Sequence, residues 1–388
     1  MRNVSIHLAA VILCASLACP SVLAGTMSER EVSDAMVRGY TAIKAQNFDG
    51  AKVIFASVAS DAATSPRAPE AMMVLGALHC KTGDRVTGMQ VYKALVEKYP
   101  DTSEAATVQY RIASEAMRTL HLRDAQDAFR AAAENKSISA LGRGRCLLQV
   151  GFADMKKYFA DEYWDRDASG LPVLVRPGLM GDRNPYLDSA KEQFQRVRVS
   201  FGKNQNPEIS AIAEAAIGEA YLLSEKPAVA EAAYRNVLDN YGPVSSKLTN
   251  LAQYGLGQAL YGQGNLEDAL QQFDLALSEF IPGDEYGFAV APATAKADLH
   301  AWKVLTVYGL QRFDEALDAA REGKAELESD PALISKVPVM ELWEGNILCQ
   351  MGRTGEGLDI LHGIITDHPG TPQAAHAQAV ISQFEEAN

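Results

Sequence analysis

The 388-residue chain is poor in the features that announce most function classes. It has five cysteines, and Cys14 and Cys19 fall within its first 24 residues. The other three, Cys80, Cys146 and Cys349, are odd in number and far apart, which excludes a disulfide framework and leaves them as small buried hydrophobes. No apolar run approaches the roughly 20 residues that a membrane-spanning helix needs. There is no basic block. Lys and Arg total 36 against 49 Asp and Glu, for a net charge of −13, a balance that argues against nucleic acid and anionic lipid as partners. The motifs G-x-S-x-G, H-E-x-x-H and the phosphate-cradling P-loop are all missing. The histidines at 79, 121, 300, 362, 368 and 376 are scattered without metal-ligand spacing. These absences lead us to expect no cofactor, no metal and no catalytic residue.

What is present begins with a leader. Arg2 is the only formally charged residue among residues 1–24, followed by "LAAVILCASLA" and then "SVLA" before Gly25. A basic start, a short apolar core and small residues before the cut describe a secretory signal peptide cleaved after Ala24. Cys19 offers an alternative lipid-attachment site, although Ser16, Leu17 and Pro20 fit that pattern less well. The expected product is periplasmic or secreted. With 47% hydrophobic residues it can build a large core.

Self-similarity organises the rest. In "LGQALYGQGNLEDALQQFDLALSEF" (256–280), Gly257 precedes Ala269 by twelve residues, Gly264 marks a turn, and Phe273 and Ala276 follow. The same offsets give Gly218, Ala230, Tyr234 and Val237; Gly76, Gly83, Gly88, Tyr92 and Leu95; and Gly345, Gly352, Gly357, Leu361 and Ile364. Pro100 and Pro369 close two of these segments. Weaker copies carry Gly39, Ala51 and Phe55; Ala125 and Phe129; Ala190 and Phe194; and Ala316, with Ala320 where the aromatic belongs. A dinucleotide fingerprint would need a third glycine where Leu260 stands, so the glycines read as packing points. A helical glycine costs about 1 kcal/mol relative to alanine, and its recurrence at one offset calls for close contact.

This pattern resembles the tetratricopeptide repeat. The resemblance implies an all-α fold: a right-handed superhelical solenoid of about eight antiparallel helix hairpins, from about residue 32 to 371, closed by a capping helix. The expected organisation is a signal peptide at 1–24, N-terminal repeats at 25–154, an irregular insert at 155–186 within the fourth repeat, C-terminal repeats at 187–371, and a capping helix and tail at 372–388. "VEKYPDTSEAATVQYRIA" (96–113) is similar to linkers of cell-envelope tetratricopeptide proteins, including outer-membrane assembly lipoproteins and the Tol–Pal-associated coiled-coil protein. A second irregular stretch is expected at 281–295.

The insert carries the competing reading. Asp165, Asp167, Ser169 and Gly170 match the start of a calcium loop, but Arg176 stands where a bidentate glutamate belongs. Asp161, Glu162, Asp165 and Asp167 also form a carboxylate group that could serve hydrolysis, or simply a solvated acidic turn. Asn135-Lys136-Ser137 is a glycosylation sequon, relevant only in a eukaryotic host.

The leading expectation is a non-catalytic scaffold that binds another protein or peptide segment. In the tetratricopeptide fold, residues two, five, nine and twelve of each repeat face a concave groove. Here those are Leu251, Tyr254, Gln258 and Tyr261 in the sixth repeat, and Val339, Leu342, Asn346 and Cys349 in the eighth. Tyr254, Gln258, Tyr261, Leu342 and Asn346 are the candidate partner-binding residues. The lysine–asparagine–arginine clamp of chaperone-tail binders is missing. Trp302 and Trp343 are either further anchors or inter-helix packing. Neither nucleic acid nor a membrane span is expected, and oligomeric state is left open.

Overall fold

A computed structural model describes residues 27–160, 164–166, 172–174, 184–241, 245–280 and 292–385. It is built from helices in hairpin order: α1 (Glu29–Lys44) with α2 (Phe48–Asp61), α3 (Ala68–Lys81) with α4 (Arg85–Lys98), α5 (Ser103–Arg118) with α6 (Leu122–Glu134), and α7 (Ala140–Ala160) with α8 (Pro185–Gln205). Then come α9 (Pro207–Leu223) with α10 (Pro227–Tyr241), α11 (Ser246–Gly262) with α12 (Leu266–Ser278), α13 (Pro292–Gly309) with α14 (Phe313–Ser329), and α15 (Val337–Gln350) with α16 (Thr354–Asp367). A last helix, α17 (Pro372–Glu385), packs on α16 and α15. Among the described residues, eight successive helix pairs and a closing helix match the order the sequence predicted.

The single non-helical feature among the described residues is a short antiparallel pair, β1 (Trp164–Arg166) with β2 (Pro172–Leu174), in the expected insert. Helix α7 continues through 155–160, so helix occupies the first residues of that insert. Residues 161–163, 167–171 and 175–183 lie outside the described residues, and with them Asp161, Glu162, Asp167, Ser169, Gly170 and Arg176. So do residues 1–26, 242–244, 281–291 and 386–388. The chain divides into two compact units, Met1–Ile112 with Glu134–Ile138, and Ala113–Ala133 with Ser139–Asn388.

Turn chemistry is shared by both units. In every described turn within a hairpin one residue takes a positive φ: Gln46, Gly83, Leu120, Glu225, Gly264, Gln311 and Gly352. The next residue's N–H then reaches back five positions, as in Asn265 to the Leu260 carbonyl at 3.0 Å and His121 to Ala116 at 2.8 Å. This closure satisfies carbonyls left open at a helix end. Glycine adopts that backbone freely; Gln46, Leu120, Glu225 and Gln311 hold it against a cost of roughly 1–2 kcal/mol each.

In the first unit, Ser28 and Glu31 form a reciprocal capping box at the start of α1. Phe55 is fully buried over Gly39, where an added Cβ would come within 2.7 Å of the ring. Tyr92 lies over Gly76 in the same way, at 2.4 Å. The sequon asparagine is spent on structure: Asn135 Nδ2 donates to the Pro100 carbonyl at 2.7 Å, and the side chain is buried.

In the second unit the aromatic–glycine contact recurs at Phe194 on Gly151, Tyr234 on Gly218 and Phe273 on Gly257, with hypothetical Cβ distances of 2.5, 2.9 and 2.5 Å. Tyr234 also covers Gly255 of the following hairpin at 2.2 Å. At these places the glycine yields to a ring, and that is the close contact its recurrence called for. True backbone approach occurs where both positions are glycine: a Cβ on Gly357 would meet the Gly345 carbonyl at 2.6 Å. The seventh hairpin, with alanine in the aromatic position, exchanges the sizes. Val304 stands at the glycine position and Ala320 at the aromatic one, and both are fully buried in one cluster.

That exchange predicts strong coupling. Ala320→Phe alone overpacks the hairpin and should cost about 1–3 kcal/mol. Adding Val304→Gly should recover more than half of the loss, read as a favourable interaction energy of about 1 kcal/mol or more in a double-mutant denaturation cycle. Additive losses would mean that the two positions do not share a space.

Candidate partner-binding face

In the second unit the first helices of successive hairpins touch one another: α7 with α9, α9 with α11, α11 with α13, α13 with α15, and α15 with α17. They form one continuous row. Their helical repeat brings four residues of each helix, at i, i+3, i+7 and i+10, to one side of that helix.

The face is apolar and partly open. Leu251, Gln258 and Tyr261 on α11 are half-buried, as are Leu342 and Asn346 on α15 with Val339 beside them. Leu305 and Tyr308 on α13 continue the row at equivalent positions, also half-buried. The predicted residues therefore share a row but not one pocket, with α13 between their two groups.

Tyr254 differs from the rest, being only 6% exposed. Its ring centroid is 6.4 Å from that of Phe273, and its hydroxyl is hydrogen-bonded to Trp302. Burial raises its pKa, and the charges of Asp298 and Glu219 push the same way. Tyr254 thus fills the interior under the face. Trp302 stacks on Phe273 at 6.0 Å and meets Tyr261 edge-on at 5.2 Å. Trp343 packs against Tyr308 at 5.9 Å. Both tryptophans join neighbouring hairpins, which is the packing alternative of the sequence reading. Cys349 is buried too, its sulfur lying over Gly357.

The helix sides carry a set of ion pairs that sequence reasoning missed. Buried Glu214 on α9 is held by Arg198 of α8 at 2.8 Å. Buried Glu344 on α15 is held by Arg321 of α14 at 2.7 Å, with Lys324 on Glu341 at 2.8 Å. Lys303 bridges Asp274 and Glu322. Earlier in the chain, buried Asp154 accepts from Gln126 at 2.8 Å and Ser189 at 2.7 Å, with Lys157 at 3.2 Å. The signal was a single acid within an apolar helical run, as Glu214 stands in "AIAEAAIG". Arg198–Glu214, Arg321–Glu344, Lys324–Glu341 and Lys303–Asp274 link the second helix of one hairpin to the first of the next, whereas Lys303–Glu322 joins the two helices of the seventh hairpin and Lys157–Asp154 lies within α7. Removing one partner would strand a buried charge.

Chemically reactive arrangements are few. Among the described residues no group of three or more His, Cys, Asp or Glu is placed to hold a metal ion. None of the three cysteines forms a disulfide among the described residues. Burial pushes Cys146 up to about 12 and raises Cys349, which disfavours thiolate chemistry. No helix among the described residues is long and apolar enough to cross a membrane.

The fold and this face define a helical-hairpin repeat array of the kind that presents a row of first helices. The family described as tetratricopeptide repeat matches residues 215–285 and, separately, 70–102. No curated protein matches the sequence. Among solved structures, a tetratricopeptide repeat protein from Parabacteroides merdae is similar, with TM-score 0.50 and 12% identity over 80% of this chain and 98% of that one. The quorum sensor NprR from B. thuringiensis, in its apo form, gives TM-score 0.51 at 12% identity over 92% and 91%. A signal transduction ATPase with a tetratricopeptide repeat sensor from Pyrococcus horikoshii gives TM-score 0.55 at 12% identity, covering 92% of this chain and 49% of that one. This chain spans about half the length of the last. At such identities the likeness is one of fold.

His300 supplies a pH dependence beside the face. It is 2% exposed, Gly323 packs against it, and its Nε2 lies 3.3 Å from Glu326 while Nδ1 has no partner among the described residues. Burial pushes its pKa below 6.5; Glu326 opposes this, while Lys296 and Lys303 reinforce it. As pH falls the unfolded chain takes up the proton first, so the stability tied to neutral His300 is whole above 6.5 and is lost below it. The melting temperature of wild type should therefore fall more steeply than that of His300→Gln just below pH 6.5. Parallel slopes would show that His300 does not titrate in this way.

Proposed function

We propose that this protein is a non-catalytic interaction scaffold that receives a segment of another protein along the row of first helices, and that it works after export, in the bacterial periplasm. The observation that carries the reading is the continuous, half-buried apolar face of α11, α13 and α15, held rigid by aromatic and ion-pair contacts beneath it. A preformed surface of this kind spends little ordering entropy on binding, and partly exposed Tyr261 is the type of side chain that anchors interfaces. Gln258 and Asn346 supply hydrogen bonds to a partner backbone. Export is supported by the charge and size pattern of residues 1–24. Two of the similar structures are named for sensing, one as a protein with a tetratricopeptide repeat sensor and one as a quorum sensor.

Photo-crosslinking from position 261 in intact cells tests the face. It should capture a discrete partner that a crosslinker at Val229, exposed on α10, does not. Equal capture from both positions, or none from 261, counts against the reading. Export has its own check: N-terminal sequencing of the purified mature chain should begin at Gly25, and a chain that keeps Arg2 would refute it.

A further inference from the structure

The junction of α13, α14 and α15 is built over an imidazole. His300 of α13 is 2% exposed, and Met340 of α15 is fully buried. A Cβ on Gly323 of α14 would lie 3.1 Å from the Cβ and Cγ of His300 and 2.9 Å from the Met340 sulfur. Three helices meet at that glycine, and each touches the other two.

The polar atoms of the ring are met on one edge only. Nε2 lies 3.3 Å from a Glu326 oxygen that also holds Lys296 at 2.6 Å. Nδ1 is sealed from solvent and has no hydrogen-bond partner among the described residues. A neutral ring that donates from Nε2 leaves only a bare lone pair at Nδ1. A protonated ring would place there a buried N–H without an acceptor, and would set a second cation on an oxygen already occupied by an ammonium. Both faults are relieved when water reaches the ring.

The surrounding charges do not take up that load. Lys303 acts on the ring as a further cation and is engaged by Asp274 of α12 and Glu322 of α14. The α15 acids Glu341 and Glu344 are paired with Lys324 and Arg321 of α14. This hairpin also lacks a ring-on-glycine clamp, since Val304 and Ala320 stand at those positions. In a stacked array the stability of a unit depends on itself and its neighbours, so a loss here is felt here first.

We propose that His300 is an acid-sensitive latch: when neutral it lets α14 close on α13 and α15, and when protonated it opens the seventh hairpin locally while the rest of the second unit stays folded. Opening interrupts the row of first helices, because α13 carries Leu305 and Tyr308 between the groups on α11 and α15.

Hydrogen exchange of the full chain tests the latch, read by mass spectrometry at pH 7.5 and 5.5 and corrected for the intrinsic pH dependence of exchange. The opened ring takes up its proton near 6.5 and the closed ring only below that. The opening constant of α13 and α14 should therefore rise severalfold between the two pH values, with about tenfold as the ceiling. Protection in α9 and α10 should not change. His300→Gln should abolish the rise. Lys296→Met keeps the histidine, frees Glu326 for the imidazolium, and should diminish it. No rise in wild type, an equal rise in α9 and α10, or a rise that survives His300→Gln overturns the proposal. Where His300→Gln does not fold at pH 7.5, Lys296→Met decides, and an undiminished rise there overturns it. The measurement needs no partner, so it stands or falls separately from the scaffold reading.

Discussion

The contact between an aromatic ring and a glycine on the facing helix is the constraint from which the rest of this structure follows. Phe55 on Gly39, Tyr92 on Gly76, Phe194 on Gly151, Tyr234 on Gly218 and Phe273 on Gly257 each leave less than 3 Å for a side chain that is not there. The ring supplies the buried apolar area, and the missing Cβ sets how near the two helices come. A helical glycine would otherwise be a plain loss. The rule concerns summed volume more than residue identity, because the Val304 and Ala320 pair keeps the fold with large and small exchanged.

Once hairpins are shaped this way, stacking decides the surface. First helices touch first helices through the second unit, so their remaining side becomes a shared face. Tyr234 ties consecutive hairpins by covering Gly255 as well as Gly218. Ion pairs such as Arg198–Glu214 and Arg321–Glu344 fix the second helix of one hairpin on the first of the next. They add directional bonds to apolar contacts that would tolerate sliding. Function on such a frame resides in which outward side chains the row displays and in the charges set among them.

Much of this was legible in the order of residues. The twelve-residue step from Gly257 to Ala269, the turn at Gly264 and the closing Pro369 are local signals, and local geometry obeys them. The face itself was only half legible. Gln258, Tyr261, Leu342 and Asn346 occupy half-open positions, while Tyr254 and Cys349, at equivalent steps of the same pattern, are buried. Helical phase tells which way a side chain starts out; it does not tell what the next hairpin places over it. Trp302 of α13, from the next hairpin, reaches the Tyr254 hydroxyl.

The sequence by itself determined the hairpins, their number and their turns, because periodicity, glycine placement and helix termination act over a few residues. Even the positive-φ turns at Gln46, Leu120, Glu225 and Gln311 follow the spacing of the repeat, although no glycine marks them. Only the tertiary structure decided which polar groups are paired and which are not. Glu214, Glu344 and Asp298 look alike as acids within largely apolar helices, yet two meet an arginine from the preceding hairpin and, among the described residues, the third does not. Electrostatic pairing depends on distances of a few ångströms between distant segments, and those distances exist only after the hairpins have stacked.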